Sequence, residues 1–178
     1  MNKAFTKEDD GNVPGVVPPR ASLPPGTPNY VTPRGLTLLR IELKELDQER
    51  VSLDARAPGA DRSHDLAQLA ARRAALEDRL ASAELVDVTK HPHDEVRFGA
   101  RVEVRAATGT ARTYRLVGVD EADPKAGLVA FVSPIARALL GRTVGESVNV
   151  RTPRGEEELQ IVRVDYDETG DPIAQSPR

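Results

Sequence analysis

Two matched sets of positions fix most of what this chain can fold into. Leu36, Leu39, Leu43, Leu46 and Leu53 fall on alternating three- and four-residue steps, and Arg50 fills the one gap. After a break the steps recur at Leu66, Leu69, Arg73, Leu76, Leu80 and Ala83. This period puts a narrow apolar stripe along one side of a helix. The two stripes mirror each other about a centre between Gly59 and Ala60. Folding there sets Leu53 against Leu66, Arg50 against Leu69, Leu46 against Arg73, Leu43 against Leu76, Leu39 against Leu80 and Leu36 against Ala83. An antiparallel helical hairpin gives every seam position a seam partner. Each arginine faces a leucine and can lay its stem across it with the charge in water. With ~1.5 Å of rise per residue, the rod is roughly 35 Å long.

The punctuation agrees with that reading. Thr32 precedes Pro33, an N-cap followed by proline at the first helical position. Pro58 is expected to end the first helix and Gly59 to permit the reversal. Asp61 or Ser63 is expected to cap the second helix.

The remaining chain reads differently. Residues 1–30, crowded with proline and glycine, read as a leader that cannot bury enough apolar surface to offset its ordering entropy. The hairpin occupies 31–88. Residues 89–95 hold His91, His93, Asp94 and Glu95 and read as a polar hinge, with too few ligands for a metal centre. From Val96, "RVEVRA" and "TYRLVGV" alternate with the period of strands. "SPIARALLG" reads as a short helix, capped by Ser133 with Pro134 at its first position and Gly141 past its end. "SVNVRTPRGEEELQIVRVDY" reads as two strands joined at "TPRG". Residues 96–167 thus form a mainly antiparallel sheet with one helix, and 168–178 a polar tail. The fold class is α+β.

Composition narrows the function. The chain has no cysteine, which removes disulfides, thiolate metal sites and cysteine nucleophiles. It has no tryptophan and only three Phe and three Tyr, too few for a base-stacking platform. A net charge of −3 gives no bulk attraction to DNA. No apolar run approaches the ~20 residues of a membrane span, and the first residues lack a signal-peptide core, so a cytoplasmic monomer is expected. No nucleotide-binding glycine motif is present.

"VTPRGLTLLRIELKELDQER" and "ASAELVDV" resemble the hairpin arms of the bacterial Gre transcription factor family (GreA/GreB). "FGARVEV", "TYRLVGVDEAD" and "SPIARALLG…VGE" followed by "TPRGE" resemble its C-terminal domain along nearly its whole length. The resemblance covers about residues 30–167, and "MNKAFTKEDD" resembles the leader of the GreB-like branch. It implies an FKBP-like C-terminal domain that binds RNA polymerase, and a coiled coil that enters the polymerase's secondary channel. It further implies tip carboxylates that help position Mg²⁺ shared with the polymerase, whose own active site cleaves backtracked RNA. This chain would then be an accessory factor and not an enzyme, with the nascent RNA 3′ end nearby. An FKBP-like fold does not by itself make a prolyl isomerase.

The tip departs from the family pattern Gly-Asp-x-x-Glu-Asn-Ala. Asp61 matches its aspartate, His64 stands at its glutamate and Asp65 at its asparagine. Imidazole is a poor Mg²⁺ ligand. Asp61 and Asp65 share a helix face if both are helical. If Asp61 lies in the turn, their geometry is open. Capping by Asp61 and dipole complementation by Asp65 are the purely structural alternative. The arms also read as one to two turns shorter than the family's, which would stop the tip about 5–10 Å short. The expectation is a channel-binding elongation regulator with weak or absent cleavage stimulation; the alternative is a cleavage factor with a rearranged Asp61/Asp65 pair. Asp120, Ser133 and Pro134 are expected contacts to polymerase through the family resemblance. Arg40, Arg50, Arg56, Arg72, Arg73 and Arg79 are expected to line the hairpin.

Overall fold

The computed structural model of the protein describes residues 20, 22–152 and 155–166. Most of the leader, its GreB-like residues included, the tail 168–178 and the Pro153–Arg154 corner lie outside the described residues.

The hairpin is two helices of equal length, α1 (Pro33–Asp54) and α2 (Ala60–Ala81). Leu39, Leu46, Leu53, Leu69 and Leu76 are buried in one cluster, with Leu36, Leu43, Leu66, Leu80 and Ala83 packed against it. The expected register holds at the surface too. Ion pairs between the arms join Arg72 to Glu49 and Arg73 to Asp47, within two residues of the mirror positions. Thr32 caps α1 as expected, its Oγ1 accepting from the Gly35 N–H at 2.9 Å.

The turn is built otherwise than its residues suggest. α1 stops at Asp54, before Pro58, as the Arg56 N–H bonds to the Leu53 carbonyl and tightens the last turn. Gly59 is the N-cap of α2 with an extended φ of 176°, open to any residue. Neither Asp61 nor Ser63 caps: Asp61 already lies in the first helical turn, and the Ser63 hydroxyl donates back to the Gly59 carbonyl.

Short strands flank the hairpin. β1 (Asn29–Val31) pairs in parallel with β2 (Ala83–Leu85). The segment assigned to the leader therefore ends earlier, because Asn29 and Val31 bury against the hairpin.

The C-terminal domain is a five-stranded sheet of β3 (Arg101–Ala106), β4 (Ala111–Val117), β5 (Leu128–Ala130), β6 (Ser147–Thr152) and β7 (Gly155–Asp165). The strand order is β5-β4-β3-β7-β6, with only the β4–β5 pair parallel. The inward residues Val102, Val104, Leu116, Leu159 and Ile161 pack with Ala136 and Leu139 of helix α3 (Pro134–Leu139). Ser133 caps α3, and Gly141, with φ 76°, takes the left-handed position beyond its C-cap. The α+β class read from the sequence is the architecture observed.

Residues 89–95 are no free hinge. Val88 before them and Val96 after them are both buried in the sheet-domain core. His91 stacks on Tyr166 at 5.3 Å, and the Asp94 carbonyl accepts from the Val144 N–H at 3.0 Å. Apolar anchors on both sides pin the polar run to the sheet domain.

Candidate functional site

The tip is a ring of arginine–carboxylate pairs. Arg56, in the loop, reaches Asp65 of α2 at 3.2 Å. Arg62 of α2 reaches back to Asp54 at 3.2 Å and to the Arg56 carbonyl at 3.3 Å. Arg50 meets the same Asp54 at 3.7 Å. His64 pairs with Gln68 at 2.7 Å. Asp61 is exposed and makes no ion pair among the described residues. Asp61 and Asp65 both lie in α2, about one turn apart, which settles the geometry the sequence left open. The structure thus brings together the three expected tip residues and pairs one of them, Asp65, and the neighbouring Asp54 with cations. Arg56 is expected from the sequence only as one of the arginines lining the hairpin, and Arg62 is not singled out there at all; the structure pairs them with Asp65 and Asp54.

The base of the hairpin is the second cluster. Two adjacent residues of the 3₁₀ turn Val119–Glu121 hold one helix each. Glu121 sits against the N-terminus of α1, accepting from the Thr32 hydroxyl at 2.5 Å and from Arg34 at 3.1 Å. A carboxylate at a helix N-terminus also complements the helix dipole. Asp120 meets Arg79, in the last turn of α2, at 3.4 Å. On its other oxygen Asp120 meets Arg20, which also grips both carboxylate oxygens of Glu42 in α1. Beside these pairs Tyr30, Phe98 and Phe131 form an aromatic trio with centroids 5.5–5.7 Å apart. The Gly118 Cα approaches the Tyr30 carbonyl so closely that a Cβ would stand 2.7 Å from it.

This placement changes the reading of three residues. Asp120 faces inward and is spent on Arg20 and Arg79. Arg79 is buried at the joint and does not line the hairpin surface. Ser133 spends its hydroxyl on the cap of α3, while Pro134 beside it is exposed. No length of sequence period marks Glu121 or Arg20 for the joint, since their partners lie 89 and 100 residues away.

His91 and Tyr166 close the sheet domain at its edge. Burial against the ring and the Arg97 charge lower the His91 pKa below its ordinary value. Burial raises that of Tyr166, whose hydroxyl donates to the Glu95 carbonyl at 2.5 Å and accepts from the Arg97 N–H at 2.8 Å. Among the described residues no group of three or more His, Asp or Glu could hold a metal ion, and no helix is long and apolar enough to cross a membrane.

The sequence model described as "Transcription elongation factor, GreA/GreB, C-term" matches residues 91–166. The transcription elongation factor GreA of Anaeromyxobacter sp. (strain K) is 43% identical over 152 residues, covering 76% of this chain and 91% of that factor. This chain belongs to the GreA/GreB family. The GreA of Rhizobium leguminosarum bv. trifolii is 38% identical over 151 residues, covering 76% of this chain and 96% of its own length. Among solved structures, a GreA/GreB elongation factor from Nitrosomonas europaea is 25% identical, with a TM-score of 0.40 over 77% of this chain and 98% of that chain. The GreA factor homolog 1 protein of Thermus thermophilus is 21% identical, with a TM-score of 0.39 over 78% and 99%. The residues matched to the GreA/GreB C-terminal region begin at His91 and end at Tyr166, the two rings that stack on each other.

Proposed function

We propose that this GreA/GreB family member binds RNA polymerase and enters its secondary channel with the hairpin, acting as an elongation regulator with weak or absent stimulation of transcript cleavage. The observation that carries the second half is the tip. Asp65 is held by Arg56 and Asp54 by Arg62 and Arg50, which leaves Asp61 as the tip carboxylate without a cation. Mg²⁺ takes hard oxygen ligands, and a carboxylate shared with a guanidinium is a poorer one.

Reach supports the same reading. The match to the Rhizobium GreA runs over 151 positions, whereas 76% of the 178 residues here is about 135. That relative therefore carries additional residues within the matched span, and we place the difference in the hairpin arms. Each missing turn withdraws the tip by ~5.4 Å, more than a side-chain rotation recovers.

A second reading is a cleavage factor proper, favoured by the spacing of Asp61 and Asp65 on successive turns of α2. A backtracked elongation complex separates the two. Transcript cleavage is followed with the wild-type protein, Asp61→Ala and Asp65→Ala, with polymerase binding measured alongside. The regulator reading expects no cleavage above polymerase alone, intact binding by all three, and loss of the cleavage given by a competent Gre factor when this protein is in excess. Strong cleavage that Asp61→Ala abolishes, with binding kept, establishes the second reading instead.

A further inference from the structure

We propose that Arg20 is a positioning residue that locks the hairpin to the C-terminal domain, so that the segment before α1 works as a strap across the joint. Its guanidinium joins three separate parts of the chain at once. One terminal nitrogen meets Asp120 of the sheet domain, and the other meets both carboxylate oxygens of Glu42 on α1. The side chain is 19% exposed, although it projects from a proline-rich stretch. The fork of an arginine holds two partners in fixed directions, which a lysine cannot do.

The strap is tied at its other end as well. The Asn29 amide donates to the Arg79 carbonyl at 2.7 Å and to the Ser82 hydroxyl at 3.1 Å, both at the end of α2. Between the ties a turn closes from the Thr27 N–H to the Pro24 carbonyl, at 3.0 Å. Ser22 and Leu23 lie along a shallow groove walled by Ala75, Asp78 and Arg79. The strap therefore touches α1 through Glu42, α2 through Arg79 and Ser82, and the sheet domain through Asp120. Among the described residues, removing Arg20 takes away the ion pair of Glu42 and one of the two ion pairs of Asp120.

An interface between two parts of a chain permits relative motion unless it is large and apolar. At this joint buried ion pairs stand beside the Tyr30, Phe98 and Phe131 rings, and on this proposal the ionic ties made by Arg20 add to how firmly the rod is aimed. The tip stands a full helix length, ~33 Å, from the joint, and any angular play at the base is multiplied along that arm.

The absence of cysteine makes the test direct. Spin labels are placed through Ala57→Cys in the tip loop and Ala107→Cys after β3, both exposed, and the full-length protein is read by pulsed electron paramagnetic resonance. A single narrow distance distribution is expected with Arg20 present. Arg20→Gln should about double its width, Arg20→Lys should fall between, and Glu42→Gln should broaden it in the same way, as loss of one tie predicts. Far-ultraviolet circular dichroism checks that the helices persist in each. Unchanged distributions in both Arg20→Gln and Glu42→Gln overturn the proposal. Because the measurement uses the free protein, its outcome is independent of how the hairpin engages polymerase.

Discussion

At the tip of the hairpin Arg56 meets Asp65 with side chains 62% and 44% exposed, whereas at its base Arg79 meets Asp120 with side chains 8% and 11% exposed. The same chemical pair is thus used at both ends of one rod, in opposite surroundings. Water screens the tip pair, and such pairs contribute about 0–1 kcal/mol. The base pair has lost most of its water and belongs to a network that includes Arg20, and breaking a buried pair of this kind costs about 3–5 kcal/mol. The lesson is a division of labour. The base network is committed to the fold, while the tip network can exchange its partners when another charged surface arrives.

The largest effect that would sharpen this comparison lies at Glu121. Its carboxylate is almost wholly buried between Thr32 and Arg34, and Glu121→Ala should lower unfolding stability by about 3 kcal/mol in denaturant titration. A loss under about 1 kcal/mol would mean that the base is as dispensable as a surface pair. Next come two glycines. Gly118→Ala pushes a Cβ to 2.7 Å from the Tyr30 backbone and should cost about 1–3 kcal/mol, because β1 must move. Gly59→Ala meets nothing within 4 Å and needs no unusual φ, so it should stay within about 0.5 kcal/mol. Equal melting temperatures for the two variants would break the contrast between base and tip. The smallest effect is at Arg56. A double-mutant cycle of Arg56→Ala with Asp65→Ala should give a coupling below about 1 kcal/mol, shrinking further as salt is raised.

What the sequence makes legible follows from distance along the chain. The leucine seam is visible because a helix repeats its surroundings every few residues, so Leu39, Leu46, Leu69 and Leu76 announce their shared stripe. Thr32 and Ser133 are visible as caps because each bonds within its own turn. The identities at the tip are visible too, since Asp61, His64 and Asp65 follow directly on a short reversal. Their partners are less so: Arg56 and Arg62 choose carboxylates by side-chain rotation, which no spacing records. The base joint is invisible to periodicity altogether. Asp120 is expected from the family resemblance as a partner contact, whereas in the fold it pairs with Arg20 and Arg79 inside the molecule. The polar run at His91 reads as a hinge because Val88 and Val96, which anchor it, and Tyr166, on which His91 stacks, all lie outside it.

The mirror symmetry of the seam has a consequence for how such rods change over generations. Seven residues removed from one arm, together with the seven facing them in the other, leave every remaining seam pair intact. Such a matched deletion shortens the rod by about 10.5 Å, at 1.5 Å per residue, without altering either end. An unmatched deletion, or one of another length, would turn part of the stripe toward solvent. The hairpin is thus a gauge whose depth can be reset in discrete, paired steps, while the joint that aims it and the loop it carries stay as they were.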